Sequence, residues 1–165
     1  MSRWRPPPAK SSPYITLAGY QRLESEIKQL WRERAEVVRA LSAAAAEGDR
    51  SENAEYIYRK KQLREMDRRI GYLQKHMPVL HIVSDPPPDR TRVFFGAHVT
   101  LEDKSGTQTA YRIVGADELD PAQGCISMDS PLAQALLKKT VDDEVKVLTP
   151  GGETRYYIVA VHYDM

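Results

Sequence analysis

Cysteine and long apolar runs are scarce in this chain of 165 residues, and each scarcity excludes a class of protein. The single cysteine, Cys125, excludes an intramolecular disulfide framework and a cysteine-based zinc cluster, and it indicates a reducing compartment. No apolar run approaches the roughly 20 residues that a membrane-spanning helix needs. Residues 1–12 are basic and proline-rich without the apolar core of a secretory signal. The sequence therefore predicts a cytoplasmic protein that does not bind membranes.

Net charge is also scarce, because 24 basic residues nearly balance 23 acidic ones. The balance conceals an uneven distribution: residues 81–165 carry 8 basic and 13 acidic side chains, while the preceding residues are basic overall. A run of three prolines at 86–88 separates the two parts and cannot continue a helix. We therefore predict a flexible basic extension (1–13), a helical region (14–84), a proline-rich linker (85–91) and a second domain (92–165).

Two long segments have the heptad spacing of a coiled coil. Apolar residues recur in each at alternating intervals of three and four, with one polar position per series. The first series is Tyr20, Leu23, Ile27, Leu30, Arg34, Val37, Leu41 and Ala44, and the second is Tyr56, Arg59, Leu63, Met66, Ile70, Leu73, Met77 and Leu80. Because few residues separate them, we predict an antiparallel helical hairpin that turns near residue 50. The alternative is that the two helices form part of a larger helical bundle.

The hairpin tip is rich in carboxylates. We expect Thr16 to begin the first helix, Gly48 to end it, and Ser51 or Asp49 to cap the second. Capping explains one or two of the acids here, whereas Mg²⁺ takes one or two protein carboxylates and completes its shell with water or phosphate. The hypothesis is that the tip supplies half of a Mg²⁺ site, and helix capping is the alternative. The four acids are Glu47, Asp49, Glu52 and Glu55.

The second helix has a strongly basic face. Between residues 59 and 75 seven basic side chains oppose only two acids, too few for pairing along the helix. A phosphate-binding surface and an ordinary solvated face are comparable interpretations. Tyr56 and Tyr58 flank this face and could stack on a base, although Tyr56 also fits the heptad seam. The candidate residues are Arg59, Lys60, Lys61, Arg64 and Arg68.

Several motifs occur in an order that resembles one protein family. They read GDRSENAEY at 48–56, KKQLREMDRR at 60–69, VFFGA at 93–97, YRIVG at 111–115 and SMDSPLA at 127–133. The chain resembles the bacterial Gre transcript-cleavage factors, of the GreB type, over about residues 14 to 163. The resemblance implies an α+β protein of two domains: an antiparallel coiled-coil hairpin and a β-rich, FKBP-like domain with one short helix.

The resemblance also implies a function. Such factors bind bacterial RNA polymerase, insert the hairpin through its secondary channel and stimulate the polymerase's own cleavage of the 3′ end of backtracked RNA. The chain would then be an accessory factor and not an enzyme, and we expect a monomer. It would bind no metal stably alone but share Mg²⁺ with the polymerase through Asp49 and Glu52, the match to the family's essential acids. Arg50, Ser51 and Asn53 would support the tip.

The basic face and the second domain take their roles from the same resemblance. Arg59, Lys60, Lys61, Arg64 and Arg68 would hold the extruded RNA, with DNA as a further candidate partner. Strands are predicted at 92–101, 109–115, 125–128, 144–149 and 154–163, with a helix from 131 to about 138. The loop of Asp129, Ser130 and Pro131 matches the family's docking loop for the coiled coil at the channel rim. Ser130 and Pro131 also fit simple helix capping.

Two other functions stay open. A polymerase inhibitor would occupy the channel without promoting cleavage, and it would not need both Asp49 and Glu52. A prolyl isomerase or chaperone would use the second domain, but fold alone does not imply that activity. The four histidines show no metal-ligand spacing, and the sequence predicts no role for them: His76, His81, His98 and His162.

Overall fold

The computed structural model describes residues 10–47 and 53–165. The chain divides into two compact units. The hairpin unit is Ala18–Leu80, and the sheet unit is His81–Met165 together with the described residues that precede Ala18. A pair of long helices and a β-rich unit with one short α-helix confirm the predicted fold class.

The hairpin unit consists of two α-helices with one apolar seam. Helix α1 is Leu17–Ala46 and helix α2 is Ala54–His76, followed by a 3₁₀ turn at Met77–Val79. Every residue of the two predicted heptad series is buried or half-buried, and Leu73 has no exposed surface. The seam is therefore confirmed, because only contact with a partner helix removes a full stripe of side chains from water.

Polar contacts between the arms fix their antiparallel order. Arg34, the polar residue of the first series, donates from Nε to Asp67 Oδ1 at 2.6 Å. Farther from the tip, Arg69 forms two hydrogen bonds with Glu26, at 2.6 and 2.9 Å. The hydrogen bond to Asp67 raises the pKa of Arg34. A paired polar group in an otherwise apolar seam favours one register over its neighbours.

The cap of helix α2 differs from the prediction. Asn53, and not Ser51 or Asp49, is the N-cap: its Oδ1 accepts a hydrogen bond from the amide of Tyr56 at 3.1 Å. The acid in the first turn of α2 is Glu55. The sequence offers several good capping residues in a row, so composition alone could not select among them.

A short parallel ribbon, formed by residues that precede α1 and follow α2 in sequence, was not predicted. Strand β1 (Tyr14–Thr16) pairs with strand β2 (His81–Val83), with Ile15 opposite Ile82. The predicted helical region of 14–84 thus includes six residues that lie as strands in the sheet unit. Three-residue strands carry almost no periodic signal, and their pairing joins residues far apart in sequence.

The main sheet of the sheet unit has five strands in the order β5-β4-β3-β7-β6. Neighbouring strands are antiparallel, except that β4 and β5 are parallel. Strand β3 begins at His98 rather than at Arg92, because a turn intervenes in which Gly96 has a φ of +85°. The strands are β3 (His98–Glu102), β4 (Gln108–Val114), β5 (Cys125–Ser127), β6 (Glu144–Thr149) and β7 (Gly152–His162).

One face of this sheet is covered by the short helix α3 (Pro131–Leu136). Ser130 caps α3 through a hydrogen bond from the amide of Ala133 to its Oγ at 3.2 Å, and Pro131 is the first helical residue, as predicted. The helix ends two residues earlier than expected, before Lys138 with its φ of 69°. The core consists of Val93, Ala97, Val99, Leu101, Ile113, Ala133, Leu136, Val145 and Ile158.

A buried carboxylate attaches strand β1 to the sheet unit. Glu118 accepts hydrogen bonds from the amide and the hydroxyl of Thr16 and, at 2.8 Å, from the amide of Gly115. A Cβ on Gly115 would lie 2.2 Å from the carbonyl oxygen of Tyr14, so only glycine permits this approach.

No described helix combines the length and the apolar character that crossing a bilayer requires.

Candidate functional site

The described residues beside the tip join the two arms of the hairpin. Asn53 Nδ2 donates to the carbonyl oxygen of Ala44, near the end of α1, at 2.7 Å, while Asn53 Oδ1 caps α2. One side chain thus satisfies a terminal carbonyl of one helix and a terminal amide of the other. Asn53 therefore fixes the spacing of the arms at the base of the five-residue segment 48–52.

The predicted acidic pair falls in that segment. Asp49 and Glu52, with Arg50 and Ser51, lie outside the described residues, so their roles stay predictions. The other two tip acids are described. Glu47 is exposed just after α1, whereas Glu55 forms an ion pair with Arg59 at 2.8 Å.

On the basic face, one residue is paired with neighbouring side chains, and the other four form no ion pair within the described ranges. Arg59 is half-buried, bonded to Glu55 and Gln62, and its guanidinium lies 5.5 Å from the ring centre of Tyr58. The remaining four side chains are exposed and form no ion pair with any residue in the described ranges. They recur at the helical spacing of one face and are Lys60, Lys61, Arg64 and Arg68. Uncompensated cations in this arrangement can bind a polyanion.

Aromatic side chains lie beside these cations. The Lys60 ammonium is 5.9 Å from the ring centre of Tyr56, and Tyr58 is 59% exposed. Tyr56 is a half-buried seam residue, whereas Tyr58 is an exposed residue. Of the two tyrosines, Tyr58 is thus the one available to stack on a base.

The predicted docking loop is tightly hydrogen-bonded. Asp129 is exposed and accepts from the amide of Ser12 at 2.9 Å and from the Ser12 hydroxyl. Its own amide donates to Ser127 Oγ at 3.1 Å. The N-terminal segment and the capping bonds of Ser130 thus fix the loop's shape, while its docking role stays a prediction.

Two of the histidines lie together, although their spacing in the sequence gave no sign of a shared site. His98 on β3 and His162 on β7 are cross-strand partners whose rings stack with centroids 4.7 Å apart. Asp164 lies beside both, with Oδ2 2.9 Å from His98 Nε2 and Oδ1 3.7 Å from His162 Nε2. Strand register, which the sequence does not reveal, creates this cluster. The only local signal was the two-residue spacing of His162 and Asp164.

The protonation of His98 is shifted by its surroundings. Burial lowers the pKa of His98, and the nearby charge of Asp164 opposes that effect. Arg112, opposite His98 on β4, and His162 lower the pKa of His98 further. A neutral imidazole at His98 is therefore favoured near neutral pH.

Comparison with known proteins identifies the family. The family model described as "Transcription elongation factor, N-terminal" matches residues 13–82. The model described as "Transcription elongation factor, GreA/GreB, C-term" matches residues 87–163. Together the two matches cover most of the chain. Among solved structures, the GreA factor homolog 1 (Gfh1) protein of Thermus thermophilus is 25% identical with a TM-score of 0.42, covering 90% of this chain and 97% of that one.

Curated relatives agree over nearly the full length. Transcription elongation factor GreB of Xanthomonas axonopodis pv. citri is 59% identical, over 99% of this chain and 98% of that protein. GreB of Pseudomonas aeruginosa is 53% identical with the same coverage of both chains. The family assignment rests on these sequence matches. The chain therefore belongs to the GreA/GreB family of transcription elongation factors.

Proposed function

We propose that this chain binds bacterial RNA polymerase in the cytoplasm and inserts the hairpin tip through the secondary channel. There it stimulates the polymerase's own Mg²⁺-dependent cleavage of the 3′ end of backtracked RNA. As a transcription elongation factor the chain is an accessory to transcription and not itself an enzyme. The products of cleavage are a short RNA fragment and a new 3′ end from which synthesis resumes.

The observation that carries the proposal is the row of exposed cations on α2, which form no ion pair within residues 10–47 and 53–165, next to a tip whose sequence is acidic. Lys60, Lys61, Arg64 and Arg68 give helix α2 a surface for phosphates, and α2 begins two residues after the tip segment. Helix α1 of 30 residues is about 45 Å long. A slender arm of that length suits delivery of side chains into a deep channel.

The chemistry at the tip is a shared metal site. Two-metal phosphodiester cleavage needs one ion to activate water and another to stabilise the leaving oxygen. We assign Asp49 and Glu52 to help hold the second Mg²⁺ when the tip meets the polymerase, since one or two carboxylates do not complete a Mg²⁺ shell. Asn53 supports this assignment, because its contacts to Ala44 and Tyr56 join the two arms on either side of the acidic segment in sequence.

The sheet unit is assigned to docking. Asp129, Ser130 and Pro131 form a hydrogen-bonded loop in which Asp129 and Pro131 are exposed, and this loop can present a constant surface to a coiled coil at the channel rim. A loop that is already ordered loses little conformational entropy on binding.

The test adds the chain to halted, backtracked elongation complexes with Mg²⁺ and measures the length of the RNA. The wild-type chain should produce 3′-truncated RNA. Polymerase binding without truncation would favour the inhibitor instead. Asp49→Asn should abolish stimulation without weakening polymerase binding, because it removes a metal ligand and preserves shape. Glu24→Gln removes one exposed carboxylate of α1 away from the tip and should behave as wild type. Loss of polymerase binding by Asp49→Asn would instead make the tip acid structural.

A further inference from the structure

The cluster of His98, His162 and Asp164 in the sheet unit takes no part in the proposed reaction. These three side chains offer two imidazole nitrogens and one carboxylate oxygen, all within 4.8 Å of one another. They come from β3, from the end of β7 and from the segment just after β7. No such grouping was apparent in the sequence, because it depends on the pairing of His98 with His162.

One buried atom of the cluster has no hydrogen-bond partner among the described residues. Nε2 of His98 is buried and forms no hydrogen bond within the described residues. Asp164 Oδ2 lies 2.9 Å from it without forming a hydrogen bond. A buried polar atom without a partner carries a free-energy cost, and ligation of a cation would remove it.

We propose that His98, His162 and Asp164 bind one divalent transition-metal ion of the Zn²⁺ class. Two imidazoles and one carboxylate are a common donor set for Zn²⁺, with water in the fourth position. Nitrogen donors favour Zn²⁺, Co²⁺ or Ni²⁺ over Mg²⁺, which prefers oxygen. The site is therefore chemically distinct from the carboxylates of the hairpin tip.

The ligand atoms of the two histidines must move closer together to bind one ion. Ligand nitrogens at 2.0–2.1 Å from a tetrahedral ion lie roughly 3.3 Å apart, so the two histidines must tilt toward each other. The side chain of His162 is 62% exposed, and that of Asp164 is 63% exposed, so both can rotate without disturbing the core. Arg112 opposes a cation by its charge, and Asp164 offsets it. A bound ion would tie β3 to the residues after β7.

The experiment uses the untagged full chain after treatment with a chelator. Zn²⁺ binding is measured by calorimetry, and Co²⁺ binding by the visible absorption of tetrahedral cobalt. We expect one ion per chain, undisturbed by millimolar Mg²⁺, and a rise in unfolding temperature on adding Zn²⁺. No binding by about 1 mM metal would overturn the proposal.

Variants locate the ion. His162→Ala and Asp164→Asn change exposed side chains and should each weaken binding at least about tenfold, while circular dichroism shows an intact fold. His81→Ala and Cys125→Ser remove other soft or nitrogen ligands of the sheet unit and should bind as wild type. Asp49→Asn should also bind as wild type, which distinguishes this site from the tip. Equal affinity in His162→Ala and wild type would refute the assignment.

Discussion

The hairpin unit and the sheet unit bury their apolar residues in different ways. The sheet unit encloses a core of nine buried residues, covered by α3 on one face of five strands. The described residues of the hairpin unit share a single apolar seam, and the two arms are further joined by polar contacts such as Arg34 with Asp67. A two-stranded coiled coil can bury a single stripe per helix, so most of its surface stays available for charge. Buried apolar area is therefore concentrated in the sheet unit, and exposed charge in the hairpin unit.

The largest expected effect is in the core of the sheet unit. Ile113→Ala removes three buried carbon atoms from a residue with no exposed surface and should lower the free energy of unfolding by about 2–5 kcal/mol. Leu148→Ala, at a site 80% exposed, should change it by less than about 0.5 kcal/mol. Denaturant unfolding measures both variants. Similar losses would show that the core does not dominate this unit.

A smaller effect is expected at the base of the tip. Asn53→Ala removes the α2 cap and should cost about 1 kcal/mol of hairpin stability. Asn53→Asp keeps a capping oxygen but cannot donate to Ala44, so it should cost less. Thermal unfolding followed by helical circular dichroism compares the variants. Equal losses in Asn53→Asp and Asn53→Ala would show that the bond between the arms, which both variants lack, matters more than the cap.

The ion pair between Glu26 and Arg69 should contribute less to the stability of the hairpin than the Asn53 cap does. Both side chains are partly exposed, and such pairs contribute about 0.2–1 kcal/mol. A double-mutant cycle with Glu26→Gln and Arg69→Gln should give a coupling in that range that falls as salt is raised. A coupling above this range would indicate that polar contacts, and not the apolar seam, hold the arms together.

The basic face should contribute almost nothing to stability. Replacing Lys60, Lys61 and Arg64 by alanine should change the unfolding free energy by less than about 0.5 kcal/mol per residue, because none of the three has an ion-pair partner among the described residues. RNA cleavage should fall most on long extruded RNAs.

The matched control for the basic face removes the same charge from the other arm. It replaces Lys28, Arg32 and Arg39 of α1, all exposed, by alanine. Equal loss of cleavage in the two triple variants would show that total charge, and not the α2 face, attracts the RNA.

The parts of the fold that were predictable are those that depend on near neighbours in sequence. Heptads repeat every seven residues, so the seam of both helices follows directly from the pattern. The N-cap was misplaced because Asp49, Ser51 and Asn53 have similar capping ability, and the choice depends on where Ala44 lies. Strands β1 and β2 were missed because three residues are too few for a pattern.

In the candidate site, too, the features that depend on spacing along one helix were predictable and those that depend on tertiary contacts were not. The basic face followed from charges at helical spacing, but the engagement of Arg59 by Glu55 and Gln62 required the actual side-chain positions. The histidine cluster required strand register, since His98 and His162 are 64 residues apart in sequence.

The two ends of the hairpin are attached to the sheet unit in different ways. Residues after α2 continue covalently into the sheet unit, whereas the chain before α1 is held by the pairing of Tyr14 with His81 and by the bonds of Thr16 to Glu118. Cleavage of the backbone between Glu47 and Asn53 would therefore not release the first arm. The two fragments should co-purify under native conditions and separate only in denaturant, so a nicked hairpin would keep both of its helices.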